Sequence, residues 1–494
     1  MKRCIVALPV DGRPVVRSQV CELLACAGWQ LRVPEVAALG HLRQPADRDA
    51  LQHWLLQQAD AADGFVISLD MLLYGGLVPS RFIDDSLEAL QPRLALLRTL
   101  KERHPHKPLY AFAATMRISN NDLAEEEKPY WAQYGTLLWR WSFHGDRARQ
   151  LNDADSAREA ASAEAAIPSA IRSDYLATRQ RNATLVQHAL ALVQAGVIDR
   201  LALPQDDTAA FGLNIAERRA LQAQVAAAGL QAQVHICPGA DEVLHTLSAH
   251  LVARLEQRPP LRVALACSDP AHVAELHALY EDRPLLQSVA DQIAAVGAVT
   301  VDDDTSADVL LALHTQGRAQ GDWAMSRPLP ARPGVDAAWW QRLHEAERRG
   351  LPIALADLAF ANGGDPWLLA QPLPQLLSYA GWNTASNRLG GLLAHAVLAA
   401  GQSRSTASSR VLALRLFEDG LYQPVLRAAL RGLAGGAAAE AELPPGALEA
   451  LARALVPPWC NAWAAARGLP WRVADVRLPW QRSFEIELLL EPAP

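Results

Sequence analysis

Short apolar runs recur along the chain, and nearly all of them lead through a polar loop into a stretch of helical periodicity. Cys4–Leu8, Gln30–Val33, Gly64–Leu69, Leu109–Thr115, Ile198–Leu203 and Gln233–Cys237 read as strands. Helices are expected at Val16–Ala27, around Leu51, Leu55 and Leu56, at Ser86–Arg103, and at Ser169–Ala195. Another carries the aromatic set Tyr130, Trp131, Tyr134, Leu138 and Trp141. Asn152–Ala166 is rich in Ala, Ser and Glu and reads as a surface excursion. Three closely spaced strands, Leu261–Cys267, Ala298–Val301 and Val309–Leu313, read as an α/β insertion or a second small domain, closed by a linker with Pro328, Pro330 and Pro333. Helix Ala337–Arg349, strand Ile353–Ala356 and strand Gln375–Tyr379 complete the alternation. From Arg410 the pattern is helical, broken at Gly435-Gly436 and Pro444-Pro445, and it ends in a hairpin of Trp471–Leu478 with Phe484–Leu490.

Alternation of strand and helix implies an α/β fold on parallel strands. Two architectures satisfy it. One is a (β/α)8-barrel-like fold: residues 1–260 form its first part, 261–330 an α/β insertion, 331–400 its end, and 401–494 a helical region with the terminal hairpin. The other is two or three doubly wound, Rossmann-like domains. In both, ligands bind beyond the carboxyl ends of the strands.

Those ends carry the candidate chemistry. Asp11 and Arg13 lie in ALPVDGRP; Asp70, Tyr74 and Arg81 in SLDMLLYGGLVPSR; Arg117, Asn120 and Asn121 in RISNND. Asp206 and Asp207 lie in PQDDTAAFG, Asp241 and Glu242 in GADE, Asn362 and Asp365 in ANGGD, and Trp382, Asn383 and Asn387 in YAGWNTASNRLG. The Asp206-Asp207 pair is the sharpest of these. Pro204 ends its strand, and a helix is expected to open at Thr208. Ionising one of two adjacent carboxyls makes ionising the other harder, so the two have different pKa values. A proton donor beside an anion suits glycosidic-bond chemistry. Asp207 is expected to be the general acid and Asp206 the group that polarises a substrate acetamide, with Asn383 or Asn121 completing the acetamide contact. Neighbouring residues of a regular strand point to opposite faces, so this division of labour requires the chain to turn at Asp206. The other Asp, Asn and Arg residues suit sugar hydroxyls, and Trp382 and Tyr74 suit the apolar face of a sugar ring.

Composition narrows the alternatives. Half of the 494 residues are hydrophobic and a fifth are charged, as in a folded protein with a large core. The net charge of −7, the pI near 6.1 and the lack of a Lys/Arg run argue against a nucleic-acid partner. Six scattered cysteines without a CxxC pair argue against a zinc site or a disulfide framework. The opening MKRCIVALPVDGRP reads as a strand rather than a signal peptide, and no run reaches the ~18 apolar residues of a membrane span. A cytoplasmic location without membrane partner is expected, and a homo-oligomer is left open. GxSxG, Walker and post-strand GxGxxG loops are absent. No metal or cofactor is expected, and the expected partner is a small carbohydrate substrate. Two competing readings stand beside the glycosidase: a metal-dependent hydrolase using Asp302, Asp303, Asp304 and the loop carboxylates, and a two-lobed sugar-binding protein without catalysis. His235 reads as a core residue, and His314, at a strand end, as core or ligand.

The ordered loops ALPVDGRP, SLDMLLYGGLVPSR, RISNND, PQDDTAAFG, GADE, ANGGD and YAGWNTASNRLG resemble the motif set of a bacterial family labelled as a domain of unknown function (number four-one-two-seven). The similarity runs from about Met1 to Gly391. The chain also resembles exo-acting β-N-acetylgalactosaminidases, and its Asp-Asp pair is similar to the paired aspartates of O-GlcNAc hydrolases. That resemblance implies a retaining exo-glycosidase for a terminal β-linked N-acetylhexosamine, with N-acetylgalactosamine favoured, which uses the substrate's acetamide as nucleophile.

Overall fold

The computed structural model describes residues 3–329, 332, 334–401 and 405–494, so Pro330 and Pro333 of the expected linker lie outside the described residues. The chain is mixed α/β with parallel sheets and divides into two units. The first comprises Met1–Gly12, Gln30–Leu244 and Tyr280–Arg283; the second comprises Arg13–Trp29, His245–Leu279 and Pro284–Pro494.

The first unit holds β1 (Cys4–Leu8), β2 (Gln30–Arg32), β3 (Gly64–Ser68), β4 (Leu109–Phe112), β5 (Arg200–Ala202) and β6 (Val234–His235). All pair in parallel, in the order β2-β1-β3-β4-β5-β6. Val66 lies opposite Tyr110, Ala111 opposite Leu201, and Leu201 opposite Val234. Every residue of β1 and β3 is buried, which explains unbroken apolar runs where a one-faced sheet would alternate. Past β5 the ladder continues through single bridges, Thr115 to Gln205 and Gln205 to Pro238. The loops after β4, β5 and β6 therefore leave the sheet side by side.

The second unit holds β7 (Arg262–Cys267), β8 (Val299–Thr300), β9 (Val309–His314), β10 (Gly321–Asp322), β11 (Ile353–Asp357), β12 (Phe360–Ala361), β13 (Ser378–Ala380), β14 (Trp471–Arg477) and β15 (Glu487–Pro492). Five of them form a parallel sheet, β13-β11-β9-β7-β8. Strands expected of an insertion thus share one sheet with strands expected at the end of a barrel. Among the described residues neither large sheet closes on itself. The β14–β15 hairpin is antiparallel, as expected. A two-stranded hairpin is marginal alone; here Val473, Val476 and Leu488 pack with Phe417, Val456 and Cys460 of the C-terminal helices. Among the described residues, no helix is long and apolar enough to cross a membrane.

Three local expectations are corrected. The segment after β3 is not all loop: Leu69–Tyr74 is a helix, because Ser68 Oγ caps Met71 N at 3.1 Å and Gly75, at φ 80°, ends it in the left-handed region. The supposed excursion Asn152–Ala166 contains a helix, Ala154–Ala166, capped by Asp153. It packs on helix Trp131–Leu151 and buries only Ser156 and Ala163, so its hydrophobic signal is weak. The helix expected from Thr208 starts at Leu213. Gly212, at φ 148°, donates its N–H to buried Asp146, and this holds residues 208–212 out of the helix.

One glycine in the second unit has no room for a side chain. A Cβ on Gly364 would collide with the Tyr379 hydroxyl and lie 2.9 Å from Asp357 Oδ2. Both neighbours are buried, and the Tyr379 hydroxyl donates to that carboxylate at 3.1 Å. Gly364→Ala is expected to destabilise the second unit by about 1–3 kcal/mol, as overpacking does. A urea midpoint unchanged from wild type would refute this.

Candidate active site

Four adjacent strands of the first sheet deliver the site. Asp70 follows β3, Arg117 follows β4, Asp206 and Asp207 follow β5, and Asp241 follows β6. Gln205 is the last residue of β5's path to make sheet bridges, and its Nε2 donates to Thr115 Oγ1 at 2.9 Å. Thr208 N donates to Tyr280 O at 3.0 Å on the other side. Both residues of the dipeptide between these anchors bend the chain, and Asp207 has a φ of 28°. The chain bends at Asp206, as expected, and again at Asp207. A non-glycine residue there costs energy, though Asp tolerates it better than most, and such strain concentrates at functional positions.

The turn aims both carboxylates at one pair of guanidiniums. Asp206 Oδ2 is 2.7 Å from Arg81 Nη2, and Asp207 Oδ2 is 3.1 Å from Arg117 Nη1. Glu126 Oε2 lies 3.1 Å from both arginines, and Glu127 Oε1 lies 3.5 Å from Arg81 and 2.9 Å from Arg117. The result is one network of four carboxylates and two guanidiniums. Arg81 is its most enclosed member, with 2 % of its side chain exposed, and Asp207 its most open, with 31 %. Burial and the neighbouring Arg117 charge work against the Arg81 cation, but Glu127, Asp206 and Glu126 outweigh them and its pKa is raised.

The Asp207 carboxyl is shifted by its surroundings. Burial, then the charges of Asp206 and Asp241, push the Asp207 carboxyl up to about 7, against the pull of Arg117 and Arg81. Asp70 is also pushed up to about 7, chiefly by burial and partly by Asp206, although Ala114 N donates to its Oδ2 at 2.9 Å.

Sequence reading passed over the residues that hold this network. Glu126 and Glu127 lie a few residues after RISNND, and that position is their local signal. Helix Ser169–Gln194 fixes both arginine loops: Arg179 Nη1 donates to Arg117 O at 3.2 Å, and Arg181 and Asn182 donate to Ser80 O at 2.9 and 3.0 Å. No local pattern marks those contacts.

The other candidates in the first unit are placed as follows. Asp11 and Glu242 are buried and Asp241 half-buried. Tyr74 is buried, with the Arg181 guanidinium 5.4 Å from its ring centroid. Asn120 is exposed, and Asn121 Oδ1 accepts from Leu123 N in its own turn.

The remaining candidates belong to the second unit. Arg13 stacks over Trp480 at 5.1 Å. Trp382 is 1 % exposed and packs with Phe484 at 5.6 Å. Asn362 and Asn383 have φ of 59° and 67°, a conformation Asn tolerates, and Asn362 N donates to Asn383 O at 3.0 Å. Asn387 Nδ2 donates to Thr384 Oγ1 at 3.1 Å. Asp365 caps helix Pro366–Leu369 and takes Arg332 at 2.8 Å and His314 at 3.2 Å. Burial raises the Asp365 pKa, but these two partners outweigh it and hold it below the usual value. His314 is fully buried.

The acidic run proposed for a metal is engaged locally. Asp304 pairs with Arg342 at 2.6 Å, and Asp303 accepts from Thr305 N at 2.8 Å. Among the described residues, no three His, Cys, Asp or Glu side chains are grouped to hold a metal ion.

These features define an α/β protein with a carboxylate–guanidinium cluster at the carboxyl edge of a parallel sheet. The chain belongs to the family described as protein of unknown function (DUF4127), whose model matches residues 5–489. A comparison with curated proteins finds no match.

Proposed function

We propose that the protein is a retaining glycoside hydrolase that removes a terminal β-linked N-acetylhexosamine, with N-acetylgalactosamine favoured, through assistance from the substrate's acetamide. One observation carries this reading: adjacent aspartates share one network but sit differently in it, Asp206 enclosed against Arg81 at 2.7 Å and Asp207 more open against Arg117 at 3.1 Å, with its carboxyl pushed up to about 7. A general acid needs a pKa near the working pH, and an acetamide N–H needs a carboxylate acceptor. In the first step the acetamide oxygen bonds to C1 and the C1–O bond to the aglycone breaks. The Asp207 proton goes to the departing oxygen, and Asp206 accepts the acetamide N–H and stabilises the positive oxazoline. In the second step water attacks C1, its proton passes to the Asp207 carboxylate, and the ring opens with retained configuration. We further assign the first sheet to the doubly wound class. Its order has the flavodoxin-like reversal between β1 and β3, and ligands bind at such switch points. Asp11 and Asp70 follow those two strands.

The test is release of nitrophenol from nitrophenyl β-N-acetylgalactosaminide and β-N-acetylglucosaminide, with inhibition by a thiazoline analogue of the oxazoline. Absence of release from both substrates would sink the proposal.

The pH profile follows from the Asp207 shift. The acid form is required, so kcat/KM on an alkyl glycoside, whose leaving group needs the proton, should fall about tenfold per pH unit above about 7. Linkage has the same sign. The unfolded carboxyl releases its proton near ~4 and the folded one near 7, so this group's contribution to stability is full at low pH and declines between those values. A rate that stays flat to pH 9 would contradict the assignment of Asp207.

A further inference from the structure

In the first unit a cleft of about 200 Å³ lies between helix Ser169–Gln194 and helix Leu213–Ala227. The exposed side chains Gln187 and Gln224 line its outer part, and buried Asp70 and Tyr74 its inner end. Leu185, Leu221 and Met116 make the walls largely apolar. Two further charged side chains reach the lining, Arg179 and Glu217, and they neutralise each other through a two-pronged pair at 2.8 and 2.6 Å. Asp70 differs. Its Oδ2 takes the Ala114 N–H, and among the described residues it makes no ion pair. The cleft thus ends in one uncompensated carboxyl group.

This is not the place where the proposed reaction would occur. Thr115 lines the cleft, and its backbone oxygen accepts from Asp206 N at 3.4 Å. The cleft backs onto the acidic pair.

We propose that the cleft is a second binding site, for a small amine whose apolar body fills the space between the two helices and whose ammonium donates to Asp70. An apolar cavity of roughly 150 Å³ is known to accept benzene, so about 200 Å³ suits one ring with a short aminoalkyl arm. Burying an ammonium is costly unless it is paired, and a charge-assisted hydrogen bond to a carboxylate supplies that pairing. At pH 8, where Asp70 is ionised, a carboxylate ligand would meet a like charge, and a hydrocarbon would leave Asp70 unsatisfied.

The inference does not rest on glycoside hydrolysis, and its test needs no turnover. The full chain is titrated at pH 8 by calorimetry and by NMR with benzylamine, benzyl alcohol, toluene and benzoate. Benzylamine should bind saturably at one site, at least tenfold more tightly than toluene, and benzoate should not bind. Asp70→Asn keeps an acceptor for the Ala114 N–H, so it should fold while losing at least tenfold in benzylamine affinity. Ala183→Trp, which fills the cleft from helix Ser169–Gln194, should abolish binding and leave the thermal midpoint near wild type. The proposal is overturned by any of three results: no saturable benzylamine binding, toluene or benzoate binding as tightly, or unchanged benzylamine affinity in Asp70→Asn.

Discussion

Asp207→Asn is expected to lower kcat/KM on an alkyl β-N-acetylhexosaminide by about 10²–10⁴-fold, the range that positioned proton donation supplies. On a nitrophenyl glycoside, whose leaving group departs without a proton, the loss in the bond-breaking step should be much smaller. Asp206→Asn should behave differently. It removes the acceptor that stabilises the oxazoline charge, so about 10²–10³-fold should be lost on both substrates alike. The contrast between the two variants matters more than either loss. Asp206 and Asp207 are neighbours in sequence and share one ion network, so a merely structural role would give similar losses for both. Equal sensitivity to the leaving group in the two variants would remove the division of labour, even if both were inactive.

Arg81→Met is expected to have the largest effect on stability. The guanidinium is 2 % exposed and contacts Asp206, Glu126 and Glu127. Methionine fills much of the volume but leaves those carboxylates short of a cation, and breaking a buried ion pair from one side costs about 3–5 kcal/mol. Arg117 remains beside Glu126 and Glu127, so the lower end of that range is expected. Glu127→Gln in the same chain should recover part of the loss. Urea unfolding at pH 7 measures both. A loss below ~1 kcal/mol at pH 7 would mean that the network is solvated and adds little, as exposed pairs do.

The sheet strands were largely legible because each buried parallel strand must be apolar throughout. Cys4–Leu8 is identical in sequence reading and structure, and Val309–His314 differs by one residue. Helix Leu69–Tyr74 was missed because all six of its residues are buried, which leaves no amphipathic stripe. Helix Ala154–Ala166 was missed for the opposite reason, since alanine contributes little hydrophobic contrast. Grouping the strands into sheets was beyond the sequence, because alternation of strand and helix is common to a barrel and to open sheets.

Within the site, sequence alone identified the Asp206-Asp207 pair, the strand before it, Arg81 and Arg117 as polar residues at strand ends, and the family to which these motifs belong. Those features are local: a proline stop, an acidic dipeptide and a loop composition. Only the tertiary structure decided which charges meet. Arg81 and Asp206 are 125 residues apart, and Arg117 and Asp207 are 90 apart. At such separations an ion pair depends on the order of strands in the sheet, and no periodicity records that order. Tertiary structure also raised the pKa of the Asp207 carboxyl, because burial and the surrounding charges act through space and the sequence of the dipeptide does not encode them.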